Sequence, residues 1–179
     1  MTLDTRWEDI DALLQRTDRT RDETLARAVR EIAAQRFDFP SEDHPGFRTY
    51  VNVPNVTMGV QVGDDEVVPH IVVVERHKTG DTSLVMTAVV CNREDVNDGQ
   101  ARALWARLAK LPNQAFYLYV PVGYGALAKK ICKRNKIRPE GFRTWRETPR
   151  GFEINDISEP PSPLAPLMPP PVRRFLATP

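Results

Sequence analysis

The chain has 179 residues, of which 41% are apolar and 27% are charged, and its net charge is +1. These values are ordinary for a globular protein of one domain with appendages, and they argue against a chain that binds polyanions over its whole surface. The charge is unevenly distributed, because residues 42–98 carry ten acidic and four basic side chains, whereas residues 129–150 carry nine basic and two acidic ones. We therefore expect an acidic part and a basic part.

The cysteine content and the lengths of the apolar segments indicate the cellular compartment in which the protein functions. Cys91 and Cys132 both fall inside apolar patterns, so no disulfide framework is predicted and a reducing compartment fits best. The first ten residues lack the pattern of a signal peptide, and no window approaches eighteen apolar residues. We expect a cytoplasmic protein with no membrane insertion.

The N-terminal part carries two helix-start signals. Thr5 with Glu8, and Thr20 with Glu23, form capping boxes, in which side chains satisfy the first backbone amides of a helix. The sequence therefore predicts two short helices, the second ending near Phe37. We assign residues 1–19 to an N-terminal helical segment and residues 20–158 to the main domain.

The middle of the chain has the pattern of a β region followed by alternating helices and strands. Apolar or alternating segments at 48–53, 56–62, 67–75 and 84–91 predict strands of an antiparallel meander. A helix capped by Asn97 or Asp98 follows, with an inward stripe of Ala101, Leu104, Trp105, Leu108 and Leu111. Next come a central strand over 115–120 and a helix over 123–135, whose inward residues are Leu127, Ala128, Ile131 and Cys132. A last strand over 141–146 completes an α/β fold, a mixed sheet flanked by helices.

The segment Val68–His77 is unusual because an apolar strand is entered through Pro69 and His70. This pair, the helix, the meander and the helix–strand–helix–strand continuation together resemble the PD-(D/E)XK nuclease superfamily, over roughly residues 20–146. The resemblance implies a restriction-endonuclease-like fold. In that family a Pro-Asp enters the second core strand, and a Glu-x-Lys or Glu-x-Glu lies on the next strand, here Ala88–Cys91.

The resemblance also implies that the catalytic motif is degenerate. Hydrolysis in that family requires carboxylates that bind Mg²⁺. By the resemblance, His70 stands at the aspartate position, Val89 at the glutamate position and Cys91 at the position of the lysine or second acid. We therefore expect no catalytic residues, no cofactor and no metal. The alternative is a nuclease whose acids have migrated to Glu75, Glu94 or Asp95, and only this alternative would need Mg²⁺.

His70 and Cys91 raise two further alternatives. If they are neighbours on adjacent strands, they suggest a Cys–His dyad or a zinc site completed by His44 and His77. A dyad needs an oxyanion hole that the sequence does not reveal, and the other two histidines lie in turns. We expect a buried cysteine beside a strand-end histidine.

The basic stretch that follows the central strand is a candidate nucleic-acid-binding surface. Its cations lie on the solvent side of the predicted helix, and they are Lys129, Lys130, Lys133, Arg134 and Lys136. The functional interpretation is contact with phosphates, and the alternative is a solvated helix face whose cations stabilise the helix C-terminus.

Residues 159–179 hold eight of the sixteen prolines and form a predicted extended arm. The arm also carries Leu164, Leu167, Met168 and Phe175, which a chain without a binding surface seldom keeps. We expect the arm to dock on its own domain, on another copy or on a protein partner. The predicted function is a binding or assembly module on a degenerate nuclease-like domain, with DNA association as the alternative.

Overall fold

A computed structural model describes the backbone of residues 5–157 and the side chains of residues 21–157. The strands of this part are β1 (Phe47–Val51), β2 (Val60–Val62), β3 (Asp65–Val67), β4 (Ile71–Arg76), β5 (Thr82–Val90), β6 (Ala115–Pro121), β7 (Gly141–Thr148) and β8 (Gly151–Asp156). The helices are α1 (Thr5–Arg36), α2, which runs through Asp98–Gln100, the π-helical turn Ala101–Trp105 and Ala106–Leu108, and α3 (Gly125–Arg134).

Six strands form one mixed sheet in the order β1-β4-β5-β6-β7-β8. Strands β5, β6 and β7 are parallel neighbours, and the remaining pairings of this sheet are antiparallel. Parallel neighbours require a crossover connection, which α2 and α3 provide. The predicted α/β class, with a mixed sheet and flanking helices, is confirmed.

Two hydrophobic cores lie on the two faces of this sheet. One face packs against the second half of α1, through residues that include Ala28, Val29 and Ile32. The other face packs against α2 and α3, where Trp105 and Ile131 are buried. The alternation of side chains along each strand divides β4 and β5 between the two cores, so both strands are buried on both faces.

The predicted central strand is also confirmed. β6 lies between β5 and β7, and its residues Leu118 and Val120 are fully buried on one face while Tyr119 is fully buried on the other. Its near-continuous apolar sequence is therefore explained by helices that cover both faces.

The prediction of two N-terminal helices is wrong. A single helix of 32 residues runs from Thr5 to Arg36, and the second capping box lies within it. Residues 15–20 contain no glycine or proline, so no residue interrupts the helix between the two boxes. A capping-box sequence indicates a possible start but does not end a preceding helix.

The predicted boundaries in the β region also need correction. The predicted strand over 56–62 shrinks to β2, which pairs only with β3 in a separate hairpin. The segment before β2 is a loop that Asn52 holds in place, because its Nδ2 donates to the carbonyls of Met58 (2.7 Å) and Pro69 (2.8 Å). The predicted strand over 67–75 is interrupted at 68–70, where Pro69 supplies no N–H for pairing.

Three details of the C-terminal half differ from the sequence predictions. Leu127 was expected to face inward but is 45% exposed. β7 is not the last strand, because β8 pairs with it across the turn at Gly151, whose φ of 119° favours glycine. The helix α2 begins at the predicted cap, where the Asn97 side chain accepts a hydrogen bond from the Gln100 N–H (2.9 Å), but it contains an unpredicted π-helical turn.

In the part of the chain that is described, no helix is long and apolar enough to span a membrane. The arm over 159–179, with Leu164, Leu167, Met168 and Phe175, lies outside the described residues.

Candidate functional sites

The three motif positions lie where β4 begins and β5 ends. Ile71 pairs with Ala88, so His70 lies one step before β4 at the level of Val89. Val89 and Cys91 are 2% and 1% exposed and belong to the core that contains Trp105. Two of the three positions at which the resemblance expects charged side chains, Val89 and Cys91, therefore hold side chains that contribute to a hydrophobic core.

His70 is held by hydrogen bonds to two neighbouring segments. The Val90 N–H donates to Nδ1 of its ring (3.1 Å), and its carbonyl accepts from the Asn52 N–H (2.9 Å). Burial lowers the pKa of His70, although the Asp95 carboxylate acts in the opposite direction. An Nδ1 that accepts a hydrogen bond carries no proton, so the imidazole is the neutral Nε2–H tautomer.

The donors near His70 do not fit a Mg²⁺ ion. This ion requires oxygen ligands, and the motif positions offer an imidazole, a valine and a thiol. Asp95 is used locally, since its Oδ2 accepts from the Asn92 N–H (3.2 Å) while the Asn92 side chain accepts from the Asp95 N–H (3.0 Å). Among residues 21–157, no group of three or more His, Cys, Asp or Glu side chains has the arrangement of a metal site.

The other candidate acids also have different surroundings. Glu94 forms an ion pair with Arg21 of α1 (3.6 Å). Glu75 pairs with Phe47 and Ser83 within the sheet. Because successive side chains of a strand point to opposite faces, the Glu75 side chain lies on the face opposite to that of Val74. The side chains of these two acids and of Asp95 therefore do not converge on one point near His70.

The described geometry also disfavours the alternatives that involve Cys91. Burial, reinforced by the Asp95 carboxylate, raises the pKa of the Cys91 thiol well above its usual range, so the thiol is neutral and a poor nucleophile. The two other histidines have separate partners. His44 stacks on Phe47 with ring centroids 4.6 Å apart, and Nε2 of His77 lies 2.9 Å from the Ser83 hydroxyl.

A cleft of about 1190 Å³ opens between the second half of α3, the connection to β7 and the end of β8. We call it the basic cleft, and its lining residues are Lys129, Cys132, Lys133, Lys136, Ile137, Arg138, Pro139, Glu140, Phe142 and Ile157. Four cations and one carboxylate line it, and the five uncharged lining residues, which we call its apolar floor, are Cys132, Ile137, Pro139, Phe142 and Ile157. Such a surface suits a ligand with negative charges and a less polar body.

The local sequence explains how these side chains converge. α3 buries Ala128, Ile131 and Cys132, which turns Lys129 and Lys133 toward the cleft side of the helix. The helix ends at Arg134, and Lys136 adopts a left-handed backbone conformation with φ of 56°. The Ile137 N–H then donates to the Cys132 carbonyl (2.8 Å). This closed C-terminal turn projects Lys136 and Arg138 beside the helix lysines.

The five predicted phosphate-contacting residues separate into two groups. Lys129, Lys133 and Lys136 line the basic cleft, whereas Lys130 and Arg134 do not. Arg134 binds both carboxylate oxygens of Asp98 at the start of α2, with 3.0 Å between its Nε and Oδ1. A hydrogen bond from Asn135 and those from Arg134 lower the pKa of Asp98, so this carboxylate stays ionised and holds Arg134. Arg134 is therefore engaged with Asp98 at the start of α2 and does not line the cleft.

The structure adds residues that the sequence prediction did not single out. Arg138 was counted only as part of the basic stretch, and Phe142, Glu140 and Ile157 were not considered for this site. Cys132 also lines the cleft, and burial raises the pKa of its thiol to about 11. The high number of basic residues in this stretch was the feature of the sequence that could have identified Arg138 as part of the site. Nothing in the sequence showed that Ile157, after β8, lines the same cleft.

No family model matches this chain, and neither the curated proteins nor the solved structures contain a match to it.

Proposed function

We propose that this protein is a nuclease-like domain without catalytic activity that binds the phosphate backbone of nucleic acid in the basic cleft. The observation that carries the proposal is the convergence of Lys129, Lys133, Lys136 and Arg138 on one cleft opposite a single acid, Glu140. The overall net charge of the chain is only +1, so this concentration of cations is local. A local basic surface attracts a polyanion even when the molecule as a whole does not.

The nuclease-like assignment rests on the order of elements. Along the six-stranded sheet, a helix and the antiparallel strands β1, β4 and β5 are followed by helix, strand, helix and strand, as in the resemblance noted above. The β2–β3 hairpin is an insertion after β1, and β8 is an addition after β7. The absence of activity follows from the side chains at the motif positions, because His70, Val89 and Cys91 supply no carboxylate to bind and activate a divalent metal.

The lining of the cleft favours contact with the phosphate backbone of the nucleic acid over recognition of its bases. The cleft has one aromatic residue, Phe142, whereas proteins that bind single strands stack successive bases on several aromatic side chains. Lysine ammonium groups act as point charges and do not impose the paired geometry by which arginine reads guanine. We therefore expect binding of duplex DNA with little sequence preference, and affinities typical of non-specific complexes, about 10⁻⁴–10⁻⁶ M at physiological salt.

The test is fluorescence anisotropy of a labelled duplex at low salt with the full chain and three single variants. Lys133→Glu changes a cation that lines the cleft, and Lys130→Glu changes an exposed lysine on the same helix that does not line it. Lys78→Glu is a remote control in the turn between β4 and β5. We expect the first change to weaken binding much more than the other two.

Two results would contradict the proposal. The first is the absence of binding at low salt, which would leave the lysines as a solvated helix face. The second is an equal loss of affinity in all three variants, which would mean that total charge, and not the cleft, determines the binding.

A further inference from the structure

The chain leaves β8 along the wall of the basic cleft. The Ile157 N–H donates to the Phe142 carbonyl (2.9 Å), which extends the pairing of β7 beyond the end of β8. The Ile157 side chain also packs over Gly125, since a Cβ at Gly125 would lie 2.8 Å from Cδ1 of Ile157. Position and direction of the chain are therefore fixed at the point where the proline-rich sequence begins.

The sequence after Ile157 matches the chemistry of the cleft. It reads SEPPSPLAPLM, in which leucines and a methionine alternate with prolines. The cleft offers an apolar floor that includes Ile137, Pro139 and Phe142. It also offers the ammonium groups of Lys133 and Lys136 as donors. A proline-rich segment in extended conformation has carbonyl groups without internal partners, and these accept hydrogen bonds from such donors.

Distance presents no obstacle to this contact. Leu164 and Leu167 follow Ile157 by seven and ten residues, which span at most about 25 Å and 36 Å when fully extended. Prolines restrict the chain before it binds, so less conformational entropy is lost when it is laid into a groove.

We infer that the segment 158–168 of the same chain binds in the basic cleft, with Leu164 and Leu167 on the apolar floor, and thereby competes with the polyanion for it. The docking of the segment is independent of the proposed function, whereas the competition rests on it. An arm that occupies the cleft for nine-tenths of the time would reduce the apparent affinity for nucleic acid about tenfold.

Lys133 and Lys136 provide a measure of docking, because both side chains are exposed and line the cleft. The experiment is acylation of the intact chain by a small amine-reactive ester, with the rate at each lysine measured by mass spectrometry. Lys78, an exposed lysine in the turn between β4 and β5, reports any general change in reactivity.

The test variant is Leu164→Ser with Leu167→Ser, and the matched control is Ala165→Ser. A chain that ends at Ser158 is the second test.

We expect the double variant and the shortened chain to increase the labelling rates of Lys133 and Lys136 by the same factor, about tenfold for the occupancy above. The control variant and the rate at Lys78 should not change. Equal rates at Lys133 and Lys136 in the intact chain and both test variants would overturn the docking. Protection that grows with protein concentration would also overturn it, because the arm of another copy would then fill the cleft.

The effect of arm docking on the affinity for duplex DNA is measured in a separate experiment. If docking and the proposed function are both right, the affinity of the double variant for duplex DNA rises by the factor measured at Lys133 and Lys136. A rise in labelling without a rise in affinity would uphold the docking and overturn the competition. If the intact chain and the double variant both fail to bind duplex DNA at low salt, the proposed function fails while the labelling result stands.

Discussion

The N–H of Val90 donates a hydrogen bond to Nδ1 of His70 across the junction of β4 and β5, at 3.1 Å. This bond explains why an apolar strand is preceded by an imidazole. Pro69 interrupts the pairing of β4, and the ring of the next residue accepts an amide hydrogen that would otherwise lack a partner. His70 is therefore a structural residue at the position where the resemblance requires a metal-binding acid.

Replacement of His70 should separate this structural role from a chemical one. His70→Asn keeps an acceptor close to the position of Nδ1, whereas His70→Ala leaves the Val90 amide without a partner, at a cost of about 1–3 kcal/mol. We expect urea unfolding at pH 7.5 to show a clear loss of stability for the alanine variant and a smaller loss for the asparagine variant. Equal losses in both variants would mean that the hydrogen bond contributes little.

The pH dependence of stability provides a second test of His70. Its pKa in the folded chain lies below the ordinary value of 6.5, so the unfolded chain binds the proton more readily. The contribution of His70 is therefore complete above about pH 6.5 and is lost as the pH falls toward the lower, folded pKa. Between pH 7 and pH 5, the wild type should lose more stability than His70→Asn. Parallel profiles for the two proteins would be inconsistent with a neutral, buried imidazole.

The purified protein should not cleave DNA or RNA in the presence of Mg²⁺ or Mn²⁺, because its motif positions lack carboxylates. The measurement is a gel assay with duplex and single-stranded substrates, and the denatured protein is the background control. Metal-dependent cleavage that disappears on replacement of Glu75, Glu94 or Asp95 would show that the acids of the site have migrated.

Introduction of a glutamate at position 89, where the resemblance expects one, should damage the fold. Val89 is 2% exposed in the core, so Val89→Glu buries a carboxylate that must either lose its charge or disrupt the packing. We expect a loss of about 3 kcal/mol or more in the free energy of unfolding. Val89→Leu, which adds volume without charge, is the control and should lose less. A Glu variant as stable as the Leu variant would indicate a solvated pocket at this position.

The buried thiols should make the protein less stable in mild alkali. The folded-state pKa of Cys132 is about 11, whereas an exposed cysteine ionises near pH 8.5, so the unfolded chain releases its proton first. Stability is therefore complete below about pH 8.5 and falls as the pH rises toward 11. Between pH 8 and pH 9.5, Cys132→Ala should show a shallower decline than the wild type. The same decline in both would assign the effect to other groups.

The periodicity of apolar residues was sufficient to predict the elements whose pattern fits only one type of secondary structure. The apolar run of β6 and the inward residues Ala128 and Ile131 of α3 lie where expected, because burial on a fixed face permits few alternatives. The boundaries around β2 and β3 were missed because Asn52 fixes that loop through contacts 5 to 17 residues away, and no local pattern encodes such contacts. The single long helix was missed because a start signal does not say whether an earlier helix has ended.

The sequence predicted that the candidate site is rich in basic residues, but it did not predict which residues line the cleft. The basic stretch pointed to Lys129, Lys133 and Lys136, and the structure places these three in the cleft. The pairing of Arg134 with Asp98 joins residues 36 positions apart, and only the packing of α3 beside α2 brings them together. For the same reason the contribution of Phe142 and Ile157 to the cleft depends on the strand order, which the sequence alone did not determine.

The most direct test of the central proposal is the salt dependence of duplex DNA binding, measured by anisotropy for the wild type, Lys133→Glu and Lys78→Glu. Four phosphate contacts from the cleft predict a slope of log K against log salt near −3.6, and the loss of one contact should reduce its magnitude by about 0.9. We expect this reduction for Lys133→Glu and no change for Lys78→Glu. A slope that Lys133→Glu leaves unchanged, or that Lys78→Glu reduces equally, would contradict binding in the basic cleft.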